Sequence, residues 1–174
     1  MIALATALSF VAVFRLPLGG STKLCAMLPI LLISLRHGPR WGFSTAFTYA
    51  VLQLLLSVGE VAAWGLTPAF FFCTLLIDYL LAYTALGVAS FFGKSEAGAY
   101  AGITLAVFLR FSCHVFSGTV LFASWMPETF TSPFLYSICY NGAFLGPELV
   151  LTLLAVFCLM RVRHVRRLIL LPRA

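Results

Sequence analysis

The chain has 174 residues, 62% of them hydrophobic and 9% charged, with a mean hydropathy of +1.06 and a formal net charge of +6. An ordinary soluble domain is roughly 45–50% apolar and 25% charged, so a soluble core cannot hide this much apolar surface and a soluble enzyme is excluded. Nor does the basic surplus mark a nucleic-acid binder, because the Lys and Arg residues sit in short loops and at the C-terminus rather than on one solvated face.

Crossing a hydrocarbon layer of about 30 Å takes roughly 20 residues of helix, and every backbone polar group inside it must be bonded internally. Apolar residues run in long stretches such as AFFFCTLLIDYLLAYTALGVASFF (69–92). A barrel strand would alternate instead. The expectation is one all-α integral membrane domain over residues 1–174. Breaks at 15–21, 36–41, 59–67, 93–96 and 126–133 divide it into six apolar segments, predicted as helices over 1–14, 22–35, 42–58, 68–92, 97–123 and 134–160. The fold class expected is therefore a bundle of six transmembrane helices.

The opening segment, MIALATALSFVAVF, lacks a basic leader region and an A-x-A-like exit, and is predicted as the first span rather than a signal peptide. Ala3 and Ala7 lie on one face of it, and small-xxx-small faces let helices pack closely in lipid. Ordinary packing within the bundle explains that spacing equally well. The first two segments are short enough to be tilted, irregular or incomplete. Basic residues set the orientation, since short cytoplasmic loops are enriched in them. With an even number of helices, one side collects Arg36, Arg40, Lys94, Arg161, Arg163, Arg166, Arg167 and Arg173, and the other only Arg15 and Lys23. Both termini are expected to be cytoplasmic. The tail RVRHVRRLILLPRA suits a topology anchor that could also lie on anionic lipid.

Polar groups within the bilayer are costly, so each is a candidate for function. Segment three carries Tyr49 and Gln53, segment four Asp78 and Tyr79, segment five Arg110 and His114, and segment six Tyr136, Asn141 and Glu148. Tyr49 with Gln53, and Arg110 with His114, share a helix face by their i, i+4 spacing. At about 1.5 Å of rise per residue, Asp78, Arg110 and Glu148 come out roughly 20 Å from the cytoplasmic ends, with His114 and Asn141 farther out. They are expected to converge in one outward-facing layer. Arg110 and Glu148 suit a structural ion pair. That leaves Asp78 without a fixed cation, as a carboxylate awaiting a proton or a cationic ligand. Tyr79, Tyr136, Phe122 and Trp125 can add aromatic faces, and rings with a carboxylate suit a flat, positively charged ring system. The interfacial belt is the simpler place for Trp64 and Trp125.

Other chemistry finds little support. His114 has no second ligand at metal-binding spacing beyond the adjacent Cys113, so no metal is expected. Five cysteines, none in a CxxC pair, read as small core residues. No GxxxxGK[ST] loop is present, so any ATP-driven step must come from a partner.

The runs PLGGSTKLCAMLPILLISLRHGPRWG (17–42), LLIDYLLAYTALGVA (75–89), RFSCHVFSGTVLF (110–122) and YSICYNGAF (136–144) resemble, in the same order, the thiamine-specific substrate-binding components of energy-coupling factor transporters. The resemblance implies a six-helix S-component of the bacterial cell membrane that captures thiamine from outside. It further implies docking onto a transmembrane coupling subunit and two ATPases, with no covalent chemistry and no cofactor besides the transported vitamin. Matched motif to motif, the implied ligand-binding residues are Asp78, Tyr79, His114, Tyr136 and Asn141, with Phe122 where the family carries a tryptophan. The carboxylate and Asn would take the aminopyrimidine, the aromatics would sandwich the rings, and Ala3 and Ala7 would face the coupling subunit. An S-component for another vitamin or thiamine precursor, and a solitary proton-coupled secondary transporter, stand as alternatives; the inverted repeats that favour the latter are not visible.

Overall fold

The computed structural model describes residues 1–16 and 19–170. Arg173 and the rest of the tail after Leu170, together with Pro17 and Leu18 of the first motif, lie outside the described residues.

Among the described residues, four helices are long and apolar enough to cross a membrane: α3 (Pro39–Ala63), α4 (Pro68–Ser90), α5 (Glu96–Val120) and α6 (Pro133–Arg161). Their starts follow local chemistry. Proline occupies the first turn of α3, α4 and α6, where its missing N–H costs nothing. The Ser95 side chain accepts from the Gly98 N–H to cap α5, and Thr67 does the same for α4 from Phe70. Large apolar side chains such as Phe47, Phe72, Phe108 and Leu154 point outward, as a lipid solvent requires.

The first two predicted helices differ from expectation. Residues 1–14 form α1 (Ile2–Ser9) followed by a strand, β1 (Ala12–Arg15), which pairs antiparallel with β2 (Ser21–Lys23). Val11, Val13 and Phe14 are β-branched or aromatic and fit a pleated ribbon, and Gly19 at φ +91° supports the turn between the strands. Residues 22–35 likewise open on β2, turn through Cys25 at φ 54°, and become helical only over α2 (Leu28–His37). At 1.5 Å per residue, α1 rises about 12 Å and α2 about 15 Å, each no more than half of the hydrocarbon thickness.

Helix α4 is not uniform. It opens as an α-helix (Pro68–Thr74), widens to a π-helical stretch (Leu75–Leu81), returns to α over Ala82–Thr84 and closes as a 3-10 helix (Ala85–Ser90). The wide stretch holds Asp78 and Tyr79, and π-segments recur at functional positions.

One end of the bundle is tightly knit. Met27, which precedes α2, and Ile30, Leu31 and Leu35 of α2 pack with Ala46 and Ala50 of α3 and with Leu86 and Ala89 of α4. Ser34 Oγ donates to the Gly87 carbonyl at 2.7 Å. Gly102 of α5 lies against the Ala89 backbone so closely that a methyl group there would collide with it. The basic residues gather at this end. Lys94 Nζ donates to the Leu35 carbonyl and, at 2.9 Å, to that of Arg36. A short helix, α7 (Arg163–Leu170), folds back with Ile169 buried; Arg36 donates to its Leu168 carbonyl at 3.0 Å, and Arg166 meets Glu96 at 3.2 Å. The cysteines are less uniformly internal than expected, since Cys139 and Cys158 are exposed and all five are free thiols.

Candidate functional site

A cavity of about 380 Å³ opens at the other end, between the hairpin and helices α3 to α6. The wide stretch of α4 directs Asp78 into it, where Asp78 Oδ1 lies 2.8 Å from His114 Nδ1 of α5. Ser117, one turn beyond His114, donates to the other oxygen at 2.5 Å. Asp78 is thus not the lone carboxylate expected; imidazole and hydroxyl already hold it, because the i, i+3 pair His114 and Ser117 faces α4. The opposite ring nitrogen, His114 Nε2, is buried with no hydrogen-bond partner among the described residues. Asn141 of α6 closes the triangle, its amide donating to the Ser137 carbonyl at 2.9 Å and, at 3.4 Å, to that of His114.

Two aromatic groups flank this polar centre. Along α6, Tyr136 sits 5.8 Å from Tyr140, Tyr140 5.9 Å from Phe144, and Phe144 6.1 Å from the His114 ring. At the rim, Trp64, Phe122 and Trp125 meet as a triad with ring centroids 4.8–5.8 Å apart. Both tryptophans line the cavity. Edge-to-face clusters of this kind hold rigid apolar surface in place.

The hairpin covers one side. The Gly20 N–H donates to the Tyr140 hydroxyl at 2.9 Å, and Thr22 Oγ1 to the Phe144 carbonyl at 3.0 Å. Gln53 lines the cavity and donates to Ser9 Oγ at 3.1 Å. Tyr49 does not line it. That ring is fully buried, 5.4 Å from Tyr83 and with its hydroxyl 3.5 Å from the Ala5 carbonyl, where it fastens α1 to α3.

One turn deeper on α5, Arg110 is paired with Glu148 at 3.8 Å, as expected. Its guanidinium also lies 4.3 Å over the Tyr83 ring. Arg110 lines the cavity floor and Glu148 does not. Among the described residues no three His, Cys, Asp or Glu side chains gather as a metal site.

The structure thus brings Asp78, Tyr79, His114, Phe122, Trp125, Tyr136, Asn141 and Gln53 to one cavity. Sequence reasoning missed Ser117, Tyr140, Glu60 and Lys23. Ser117 and Tyr140 were findable, one turn beyond His114 and Tyr136. Lys23 was not, because only the hairpin carries it back into the bundle.

Comparison with known proteins agrees with this geometry. Residues 1–167 match the family described as thiamine transporter protein (Thia_YuaJ). The thiamine transporter ThiT of Bacillus subtilis is 30% identical over 158 residues, covering 83% of this chain and 77% of that protein. ThiT of Lacticaseibacillus paracasei is 26% identical over 150 residues, covering 78% and 71% respectively. These relatives are named for transport rather than catalysis, and with four membrane-length helices the chain is a multi-pass protein of the bacterial cell membrane. The chain belongs to the thiamine transporter protein family.

Proposed function

We propose that this chain is the thiamine-binding S-component of an energy-coupling factor importer. In this reading α1 continued by β1 makes one crossing and β2 continued by α2 another, giving six with the four long helices, and the basic end and both termini face the cytoplasm. Thiamine enters from outside into the cavity, whose size falls in the usual range for small-molecule sites. The observation that carries the reading is the Asp78–His114 pair set among aromatic rings, with His114 Nε2 buried and unpartnered. A buried polar atom without a partner is costly, and with Nδ1 donating to the Asp78 carboxylate a hydrogen-bond donor on the ligand would satisfy Nε2 of the neutral ring. Asp78 and Asn141 supply a mixed acceptor and donor edge for the aminopyrimidine, and Tyr136, Phe122 and Trp125 supply faces for the cationic ring system.

Docking belongs to the same reading. Ala3 and Ala7 are exposed on α1, on the side away from the buried Ala5. Small exposed residues at that spacing permit close helix approach in lipid, which suits a transmembrane coupling subunit bearing two ATPases. The experiment is a thermal-shift panel on the detergent-solubilised chain with thiamine, riboflavin and biotin, because binding stabilises by mass action. Stabilisation by thiamine alone supports the reading. Vesicle uptake that proceeds with this chain alone, without the coupling subunit and ATPases, would overturn the S-component assignment.

A further inference from the structure

Charge is distributed unevenly between the two ends of the bundle. Glu60 and Asp78 line the cavity, Glu148 is buried against Arg110, and Glu128 lies in the segment between α5 and α6 at the cavity end. That leaves Glu96 as the one carboxylate at the knit end among the described residues. Four of the cations there are already engaged. Lys94 donates to the Leu35 and Arg36 carbonyls, Arg36 to that of Leu168, Arg166 pairs with Glu96, and Arg161 lies 4.3 Å over the Phe157 ring. Three more, Arg40, Arg163 and Arg167, are exposed and form no ion pair among the described residues.

Their place in the fold sets their depth. Arg40 stands in the first turn of α3, and Arg163 opens α7 two residues after α6 ends at Arg161. Because α3 and α6 are of membrane length, these positions fall where hydrocarbon gives way to headgroups. An interfacial helix usually buries its apolar face in lipid. In α7, Val165, Ile169 and Leu170 pack into the bundle instead, and the Arg36–Leu168 bond ties the helix to α2. The basic face is therefore held in place. Val162, Leu168 and Trp41, all exposed, add apolar surface at the same end, and tryptophan favours the membrane interface.

We propose that α7 and the start of α3 form a docking surface for anionic lipid headgroups, with Arg163, Arg167 and Arg40 taking their phosphoryl oxygens. Guanidinium suits this role because its planar fork pairs with phosphate bidentately. Lys and Arg at a span's end orient insertion whether or not they are folded into a surface; packing of Ile169 and the Arg36 bond make a surface that discriminates between lipids. The inference is independent of what the cavity binds.

The test reconstitutes the full chain in nanodiscs of phosphatidylcholine alone and of phosphatidylcholine mixed with phosphatidylglycerol. Thermal unfolding and backbone hydrogen exchange over residues 163–170 are read at low and high salt. Phosphatidylglycerol should raise the wild-type melting temperature and slow exchange in α7, and high salt should shrink both effects. The double variant Arg163→Gln/Arg167→Gln should lose most of that increment, and Arg163→Lys/Arg167→Lys should keep most of it. Inorganic phosphate added to phosphatidylcholine discs should not reproduce it. Equal behaviour of the wild type in the two lipids would overturn the inference, and this arm needs no variant to fold. A full increment in the glutamine variant, or an equal one from free phosphate, would also overturn it. So would a glutamine variant that keeps its lipid response but no longer assembles with a coupling subunit, because the face would then belong to a protein partner.

Discussion

Two ionisable pairs lie one helical turn apart and are built differently. Asp78 and His114 meet at 2.8 Å, are supplemented by Ser117, and line a cavity. Arg110 and Glu148 approach only to 3.8 Å, and the Glu148 carboxylate accepts no hydrogen bond among the described residues and does not line the cavity. The outer pair is thus preorganised and reachable, as a binding group should be. The inner pair gains Coulomb energy without the hydrogen bonds that usually offset burial. Equal rarity of charge within a membrane helix marks both as important; the proposed reading gives ligand recognition to one and helix registry to the other.

Removing the inner carboxylate should produce the largest effect on stability. Glu148→Ala leaves Arg110 buried without its counterion and should destabilise the chain by about 3–5 kcal/mol, read as a lowered melting temperature in detergent. Asp78→Asn keeps the shape of the outer pair and removes its charge. It should weaken thiamine binding by about 2–5 kcal/mol, checked by calorimetric titration, while the ligand-free melting temperature moves less than in Glu148→Ala. If the two variants exchanged their effects, the division between the pairs would be wrong.

Smaller effects sharpen the contrast between the knit end and the open end. Gly102→Ala forces a methyl group against the Ala89 backbone and should cost about 1–3 kcal/mol as overpacking, lowering the melting temperature and leaving the affinity measured for the folded fraction unchanged. Thr22→Val removes the hydroxyl bonded to the Phe144 carbonyl. It should cost about 1 kcal/mol and, because that bond fastens the hairpin over the cavity, should appear as faster thiamine release in stopped-flow measurements.

The long helices were legible because composition and length together leave a membrane chain few choices, and α3 to α6 fall within a few residues of the predicted spans. Residues 1–35 were not. There the apolar content is equally high, but Val11–Phe14 and Ser21–Lys23 gain more by pairing than by extending α1 or α2, and strand pairing between nearby segments leaves no helical period to read. The candidate site was legible at Asp78, His114 and Asn141 because intramembrane polar residues are so few. Tyr49 shared that signal with Gln53 and yet points into packing, since i, i+4 spacing fixes a face and not what covers it. Trp64 and Lys23 enter the cavity lining only through tertiary structure, the first from the end of α3 and the second from a hairpin.

The central claim is that thiamine binds beside the Asp78–His114 pair, under the Trp64–Phe122–Trp125 triad. Trp64 and Trp125 line the cavity and Trp41, 64% exposed, does not, so tryptophan fluorescence of the solubilised chain reports on it directly. Titration with thiamine should quench the signal saturably in the wild type and far more weakly in Asp78→Asn at the same concentrations. Quenching of equal affinity in both proteins, or none in a folded wild type, would contradict the account.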